Sequence, residues 1–330
     1  MTRKLASIRS VGEVRPIEGA DRIVAYAIDG WWVVDTVGKY ASGDWIIYVE
    51  PDAWVPHELA PFLSKGREPR VWEGIPGERL RTVRLRGQLS QGLILPLGTL
   101  TGTPVNLGDD VSEVLGIRLW EPAMPACLAG DAMGLFPVAV PKTEAERIQN
   151  LTADWPRLSG LSFEITEKLH GSSCTMYLDA DGQFHVCSRN LDLRESETNS
   201  FWIAARKYGV EARMRELGLL GYALQGELIG EGINGNQYKV RLEWRVFNIY
   251  NTATRSYLPS MERLTLVNQL GLLHAPLLND LDVQGMSVQQ MLDLADGNSA
   301  INGSPREGIV LKNGDTFIKV ISNNWLLKEK

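Results

Sequence analysis

Residues 162–178 read Ser162-Phe-Glu-Ile-Thr-Glu-Lys168-Leu-His170-Gly171-Ser-Ser-Cys-Thr-Met-Tyr-Leu178. Two runs with strand character, 162–169 and 174–178, flank Gly171-Ser172-Ser173, a tight turn. Lys168 therefore closes a strand and faces a turn with no bulky side chain, where backbone N–H groups can approach a phosphate. A lysine in that setting is a nucleophile once its neighbours lower its pKa. Lys-x-x-Gly is a weak pattern, arising by chance roughly once in a chain of this size. It occurs once here. The plain alternative is a surface lysine beside a hairpin.

Downstream, strands alternate with helices. Strands are expected at 184–188, 223–229, 243–250, 308–311 and 316–320, and helices at 200–208, 210–217, 260–270 and 287–294. This predicts an α+β domain on a largely antiparallel sheet with flanking helices. A further helix is expected over 143–151, with Thr143 as its cap and Glu146 three residues on, as in a capping box. Residues 101–142, with Pro122, Pro125, Gly130, Gly134, Pro137 and Pro141, read as a connector. Residues 1–100 hold about five short strands, including 22–28, the Asp29-Gly30 turn, 31–36, 45–49 and 92–96. They predict a small barrel of OB type, although pattern alone leaves an SH3-like barrel open. The division expected is therefore 1–100, 101–142 and 143–330.

The chain has 330 residues, 44% hydrophobic and 22% charged, which excludes a disordered, collagenous or coiled-coil protein. No apolar run approaches the roughly 18–20 residues that span a membrane, and no signal peptide is expected. Three scattered cysteines (Cys127, Cys174, Cys187) and four histidines make neither a disulfide framework nor a zinc pattern. A cytoplasmic location is expected. The net charge of −6 argues against non-specific coating of nucleic acid. Residues 65–86 nevertheless carry seven Lys/Arg against three Glu. Within them Arg79-Leu-Arg81-Thr-Val-Arg84-Leu-Arg86 reads as a strand with basic residues outward and Leu80 and Leu85 inward. The alternative is a solvated charged face.

Other residues ask for an explanation. Gly230-Glu-Gly-Ile-Asn-Gly235 matches the dinucleotide fingerprint, but a strand rather than a helix follows it, so that reading fails. There is no phosphate-binding P-loop motif. Ser188-Arg189 ends the strand after the lysine hairpin. Gln225-Gly226-Glu227 places a carboxylate inside an apolar strand, where acids are depleted. Phe247 lies on a buried-looking strand, Glu307 and Lys312 bracket an apolar one, and Lys319 sits within another. Buried lysines are rare without a counter-anion.

In order, Lys168-x-x-Gly171, Ser188-Arg189, Gly226-Glu227, Phe247, Glu307-Gly308 and Lys319 resemble the nucleotidyltransferase motifs of covalent polynucleotide ligases and mRNA capping enzymes. Glu167-Lys168-Leu-His170-Gly171 is similar to the RNA ligase branch, with His two places after the lysine where ATP-dependent DNA ligases usually have Asp. DNA ligases and capping enzymes carry an OB domain after the last lysine motif; eleven residues follow Lys319 here, too few for a barrel, and the barrel-like segment is expected at the N-terminus instead. With Gly43-Asp44, Tyr48-x-Glu50-Pro-Asp52 and Gln88-Leu-Ser-Gln-Gly-Leu93, the chain resembles the Deinococcus-type nick-sealing RNA ligases along nearly its whole length. Two departures are Ile321, where many ligases have a second lysine, and Ser173, where some phage enzymes have Asn.

The resemblance implies an ATP-dependent enzyme that joins 5′-phosphate to 3′-OH through AMP carried covalently on Lys168. It implies a neutral amine, against a reference pKa near 10.4, and Mg²⁺ or Mn²⁺ held by Glu227 and Glu307. Lys312 and Lys319 would stabilise phosphate charge, Arg189 would contact ribose or substrate phosphate, and Phe247 would stack on adenine. Glu167, Leu169 and Ser173 would complete the nucleotide site, and His170 would position the lysine or the end being sealed. The partner implied is a nicked duplex with an RNA 3′-OH strand, contacted by Arg79, Arg81, Arg84 and Arg86. A monomer is expected. A capping-type guanylyltransferase and a non-catalytic OB-type RNA-binding protein are the alternatives.

Overall fold

The computed structural model describes residues 3–102, 104–121, 131–278 and 283–328. Pro122, Pro125, Cys127 and Gly130 lie outside them. The chain divides into two compact units. The first comprises Met1–Pro122, Ile148–Pro156 and Leu326–Lys330, and the second Ala123–Arg147 and Arg157–Trp325.

The first unit is built from short antiparallel strands. β1 (Ala6–Ser10), β5 (Trp45–Val49) and β11 (Leu93–Pro96) form one sheet, in the order β1-β5-β11. β2 (Val14–Ile17), β3 (Ala20–Ile28) and β4 (Trp31–Thr36) form a meander. β6 (Ala53–Pro56), β7 (Arg70–Trp72), β8 (Ile75–Arg79) and β12 (Arg118–Leu119) form a third sheet. Both faces of β5 are buried. Ile47 and Val49 pack with Ile8, Val55 and Leu95, while Ile46 and Tyr48 pack with Tyr26, Trp31 and Ile94. Residues read from sequence as connector, Val111, Leu115 and Ile117, add to the first of these cores.

Two sequence expectations fail locally. The arginine strand over 79–86 is broken: β8 ends at Arg79, and Val83–Leu85 (β9) pairs only with Gln88–Ser90 (β10) as a separate hairpin. The ladder ends at Leu80, whose N–H still donates to Ala53 O at the start of β6 and whose carbonyl accepts from Asp52 N, with its side chain buried. The helix expected at 143–151 does not form. Glu146–Arg147 (β14) pairs in parallel with a C-terminal strand and Ile148–Leu151 is a 3₁₀ turn. The Thr143 hydroxyl contacts Ser173 Oγ, and the Glu146 carboxylate accepts from Arg147 N, so no capping box forms. Tertiary pairing overrides the local signal.

Among the described residues the second unit contains two sheets. The larger has the order β13-β18-β17-β16-β19-β20-β21, with β22 also paired to β20. Its strands are Ala132–Leu135, Leu191–Leu193, Phe184–Cys187, Ser172–Leu178, Tyr222–Ile229, Glu243–Asn251 and Ser256–Tyr257 in that order, with β22 at Leu273–His274. The smaller has the order β14-β24-β23-β15, where β15 is Glu164–Lys168, β23 Gly308–Asn313 and β24 Thr316–Ile321. Helices α1 (Ser200–Lys207), α2 (Val210–Glu216) and α3 (Ser260–Gln269) lie where the pattern predicts. So does α4 (Val288–Ala295), which begins with a Ser287–Gln290 capping box. Phe201, Trp202, Val210 and Met214 bury the apolar faces of α1 and α2 against Met176, Leu224 and Trp244. Cys174 and Cys187 are buried and unbridged. Among the described residues no helix is long and apolar enough to cross a membrane.

Candidate active site

Strand alternation sets the site. In the smaller sheet Lys168 pairs with Gly308, and Gly308 with Ile321. Two residues along, Thr166 pairs with Val310 and Val310 with Lys319. Two further, Glu164 pairs with Lys312. Side chains two apart share a face, so Lys168, Lys312, Lys319 and Glu164 belong to one face of this sheet. Glu167 is on the other, buried, with Oε2 accepting from Ala300 N at 2.8 Å.

Lys168 Nζ donates to Glu307 Oε1 at 2.7 Å, and His170 Nδ1 lies 3.7 Å from Glu307 Oε2. Burial alone would raise the Glu307 carboxyl, but the Lys168 and His170 charges hold it below its usual range. Glu227 reaches the same centre from the larger sheet, where it pairs with Ser173 and Arg245. Burial, opposed by Lys168 and reinforced by Glu307, pushes its carboxyl up to about 7. Two carboxylates so close, one of them incompletely compensated, suit a divalent cation that completes its shell with water and phosphate oxygens. Among the described residues no three His, Cys, Asp or Glu side chains are grouped to hold a metal ion alone.

The motif glycines are steric requirements. A Cβ on Gly171 would lie 2.2 Å from Leu228 O and 2.9 Å from Glu227 Cγ. One on Gly308 would lie 2.1 Å from Val320 O. Their absence lets the lysine turn close on Glu227 and lets β23 sit against β24. The turn is pinned further by Asn234 Nδ2 donating to Gly171 O at 2.6 Å and by His170 N donating to Tyr238 Oη at 2.8 Å. Leu169 is buried with Ile229, Tyr238 and Ala275. Thus the false dinucleotide fingerprint, which leads into a 3₁₀ turn at Asn234–Asn236, braces the lysine turn.

Phe247 is the extra residue of a β-bulge. Gly226 pairs with Val246 and Gln225 with Asn248, which leaves Phe247 unpaired and re-aims its ring. Lys312 Nζ donates to Phe247 O at 2.6 Å, lies 5.7 Å from the ring centre and is 3.8 Å from Glu164 Oε1. Burial, with the Arg263 charge beside it, lowers Lys312 to about 7. Lys312 thus reaches the bulge, whereas Lys168 reaches Glu307. Arg189 is exposed in the turn between β17 and β18.

Sequence reading missed Glu164, Arg263, His274, Asn234, Tyr238 and Trp325. Glu164 carried a usable signal, being four residues before Lys168 on the same face. Arg263 Nη2 donates to both Glu164 oxygens at 2.5 Å. Its Nε donates to His274 Nε2 at 3.1 Å, and the other ring nitrogen faces Ala275 O at 2.5 Å.

In the first unit, Arg79 is bound to Asp52 at 2.6 Å and lies 4.2 Å over Trp120, with its side chain 10% exposed. Arg81 is half-buried beside Thr82. Arg84 and Arg86 are exposed on the β9–β10 hairpin, whose turn has positive φ at Arg86 and Gly87.

These geometries match known proteins. A family model described as RNA ligase matches residues 161–326, and one described as an OB-fold domain matches 5–97. Among solved structures, a Naegleria gruberi RNA ligase variant without ligand has a TM-score of 0.92 and 42% identity, covering 98% of this chain and 97% of its own. The Naegleria gruberi enzyme with PPi has a TM-score of 0.92 and 42% identity, covering 98% of each chain. A variant of it with AMP and Mn has a TM-score of 0.92 and 41% identity, covering 98% of each. A search of curated proteins found no match.

His274 gives a pH prediction. Burial first, then the Arg263 and Lys312 charges, lower its pKa to about 4, against the backbone carbonyl of Ala275 and Glu164. The unfolded chain therefore takes up a proton first as pH falls. Stability should drop between about pH 6.5 and 4, by about 3 kcal/mol from this group. Urea unfolding of wild type and His274→Gln across that range measures it. The variant should show the smaller slope, and equal slopes would contradict the assignment.

Proposed function

The chain belongs to the RNA ligase family, and from that premise we propose that it seals 5′-phosphate to 3′-OH ends at nicks in duplexes with an RNA 3′-OH strand, using ATP. The observation that carries this reading is Lys168 at a strand end, 2.7 Å from Glu307 and on the sheet face of Lys312 and Lys319. Lys168 Nζ attacks the ATP α-phosphorus, a P–N bond forms and pyrophosphate leaves. AMP then passes to the 5′-phosphate of the nick, giving a 5′–5′ pyrophosphate and freeing the amine. The 3′-OH attacks that 5′-phosphate and AMP departs.

The residues divide the work by chemistry. Lys168 must shed a proton and leave Glu307 before it attacks. Glu227 and Glu307 would hold Mg²⁺ or Mn²⁺, which supplies charge stabilisation on the phosphate oxygens. Lys319 adds a cation to the same face, where transition-state charge collects. Lys312, tied to the bulge carbonyl, sets the Phe247 ring on which adenine stacks and contributes charge. Arg189 contacts ribose or phosphate, and His170 sets the lysine or the incoming end. Glu167, Leu169 and Ser173 shape the nucleotide site, Glu167 from behind the sheet. Residues 1–100 serve as the nucleic-acid-binding domain and 143–330 as the adenylation domain. Placement with the Deinococcus-type enzymes rests on the N-terminal position of the OB domain.

Incubation with α-labelled ATP and Mg²⁺ or Mn²⁺ should label wild type and leave Lys168→Ala unlabelled. Label on the variant would refute the site, and preferential labelling by GTP would favour the guanylyltransferase alternative. Binding of a nicked duplex should weaken with salt. Because Asp52 neutralises Arg79, Arg81→Ala, Arg84→Ala and Arg86→Ala should each flatten the plot of log K against log[salt] by about 0.9, and Arg79→Ala by much less. Equal slopes for all four variants would contradict this assignment.

A further inference from the structure

Four contacts close a circuit on Glu307, and others brace it. Its backbone carbonyl accepts from Ser322 N at 2.9 Å. Ser322 Oγ accepts from Trp325 N at 3.0 Å and donates to Asp296 Oδ1, whose carboxylate also takes Asn324 Nδ2 at 3.1 Å. The Trp325 ring lies against His170, with centroids 5.0 Å apart and planes at 59°. His170 Nδ1 faces Glu307 Oε2 at 3.7 Å, and Glu307 Oε1 accepts from Lys168. The circuit thus starts at the Glu307 backbone and returns to its side chain.

The parts differ in rigidity. Ser322 is buried and fixed by the end of β24, and Asp296 anchors the start of the following helix, Asn323–Lys328. The His170 backbone is held by Tyr238, but its side chain is 30% exposed, and its described ion-pair and ring contacts are with Glu307 and Trp325. An imidazole free to turn about two bonds would spend little time facing Glu307. The indole plane removes that freedom, since tilted aromatic pairs prefer a defined geometry.

We propose that Trp325 is a positioning residue for the nucleotidyl-transfer centre: it fixes the His170 ring against Glu307, so that one oxygen of the carboxylate faces the imidazole and the other faces Lys168. The ring contact described for Trp325 is with His170, and Trp325 acts through it. This inference rests on the proposed adenylation of Lys168 and adds a residue that none of the nucleotidyltransferase motifs in the sequence contains.

The test combines single-turnover adenylation by ATP and Mn²⁺ with NMR of the histidine ring protons. The chain has four histidines, so the His170 signals are assigned by comparison with His170→Ala. In wild type those signals should be displaced by the indole ring current, and in Trp325→Leu they should return toward free imidazole. Trp325→Leu should slow adenylation at saturating ATP by about tenfold or more, because small misplacement of reacting groups is costly, while half-saturating ATP changes little. Trp325→Phe should restore most of the rate. In the His170→Ala background Trp325→Leu should cost nothing further, since both substitutions break one circuit. A full additional loss in that background, a Trp325→Phe as slow as Trp325→Leu, or an undisplaced His170 signal in wild type would overturn the proposal. Failure of wild type to take up AMP, with the His170 signal displaced as expected, would overturn the ligase reading instead.

Discussion

The ion pair between Lys168 and Glu307 is the contact on which the rest of the site depends. At 2.7 Å, in a partly buried place, it holds an amine at a strand end where a flexible side chain would otherwise wander. The pairing also presents a demand. On the proposed mechanism Lys168 attacks phosphorus as a neutral amine turned from its carboxylate, which requires the surrounding charges to change when substrate arrives. A triphosphate and a divalent cation bring such a change. The cation attracts the carboxylates, and the phosphates attract the remaining lysines.

Backbone geometry brings the two sheets' contributions together. Gly171 and Gly308 stand where any side chain would strike a carbonyl oxygen of the neighbouring strand. The first lets the lysine turn meet Glu227, and the second lets β23 and β24 align the lysine face. The bulge at Phe247 does comparable work on the larger sheet, turning a residue that regular alternation would place elsewhere. Arg263, Glu164 and Lys312 then form a buried charged group behind that bulge, in which every charge has a partner.

Much of this was legible in the residues. Period-two alternation and turn chemistry placed the seven longer strands and four helices of the second unit within a residue or two, though not its short strands at 132–135, 146–147, 191–193, 256–257 and 273–274, and the order of motifs pointed to the RNA ligase family. What was not legible had physical causes. A capping box at Thr143 and Glu146 satisfies local rules, yet a parallel partner strand outcompetes a helix there. The Arg79–Arg86 run alternates well enough for one strand, but the ladder with β6 ends at Leu80 and Val83–Leu85 pairs with Gln88–Ser90 instead. Arg79 looked outward by alternation, and Asp52 and Trp120, far away in sequence, cover it. Trp325 carries no motif, because what distinguishes it is a ring contact across 155 residues of chain.

The most direct measurement is the chemistry of the adduct itself. Wild-type protein mixed with ATP and a divalent cation, then digested and mapped by mass spectrometry, should carry one AMP on the peptide that contains Lys168. The bond should be acid-labile and stable to alkali, as a phosphoramidate is, and added pyrophosphate should reverse it. AMP on a different side chain, or none on any peptide, would contradict the account.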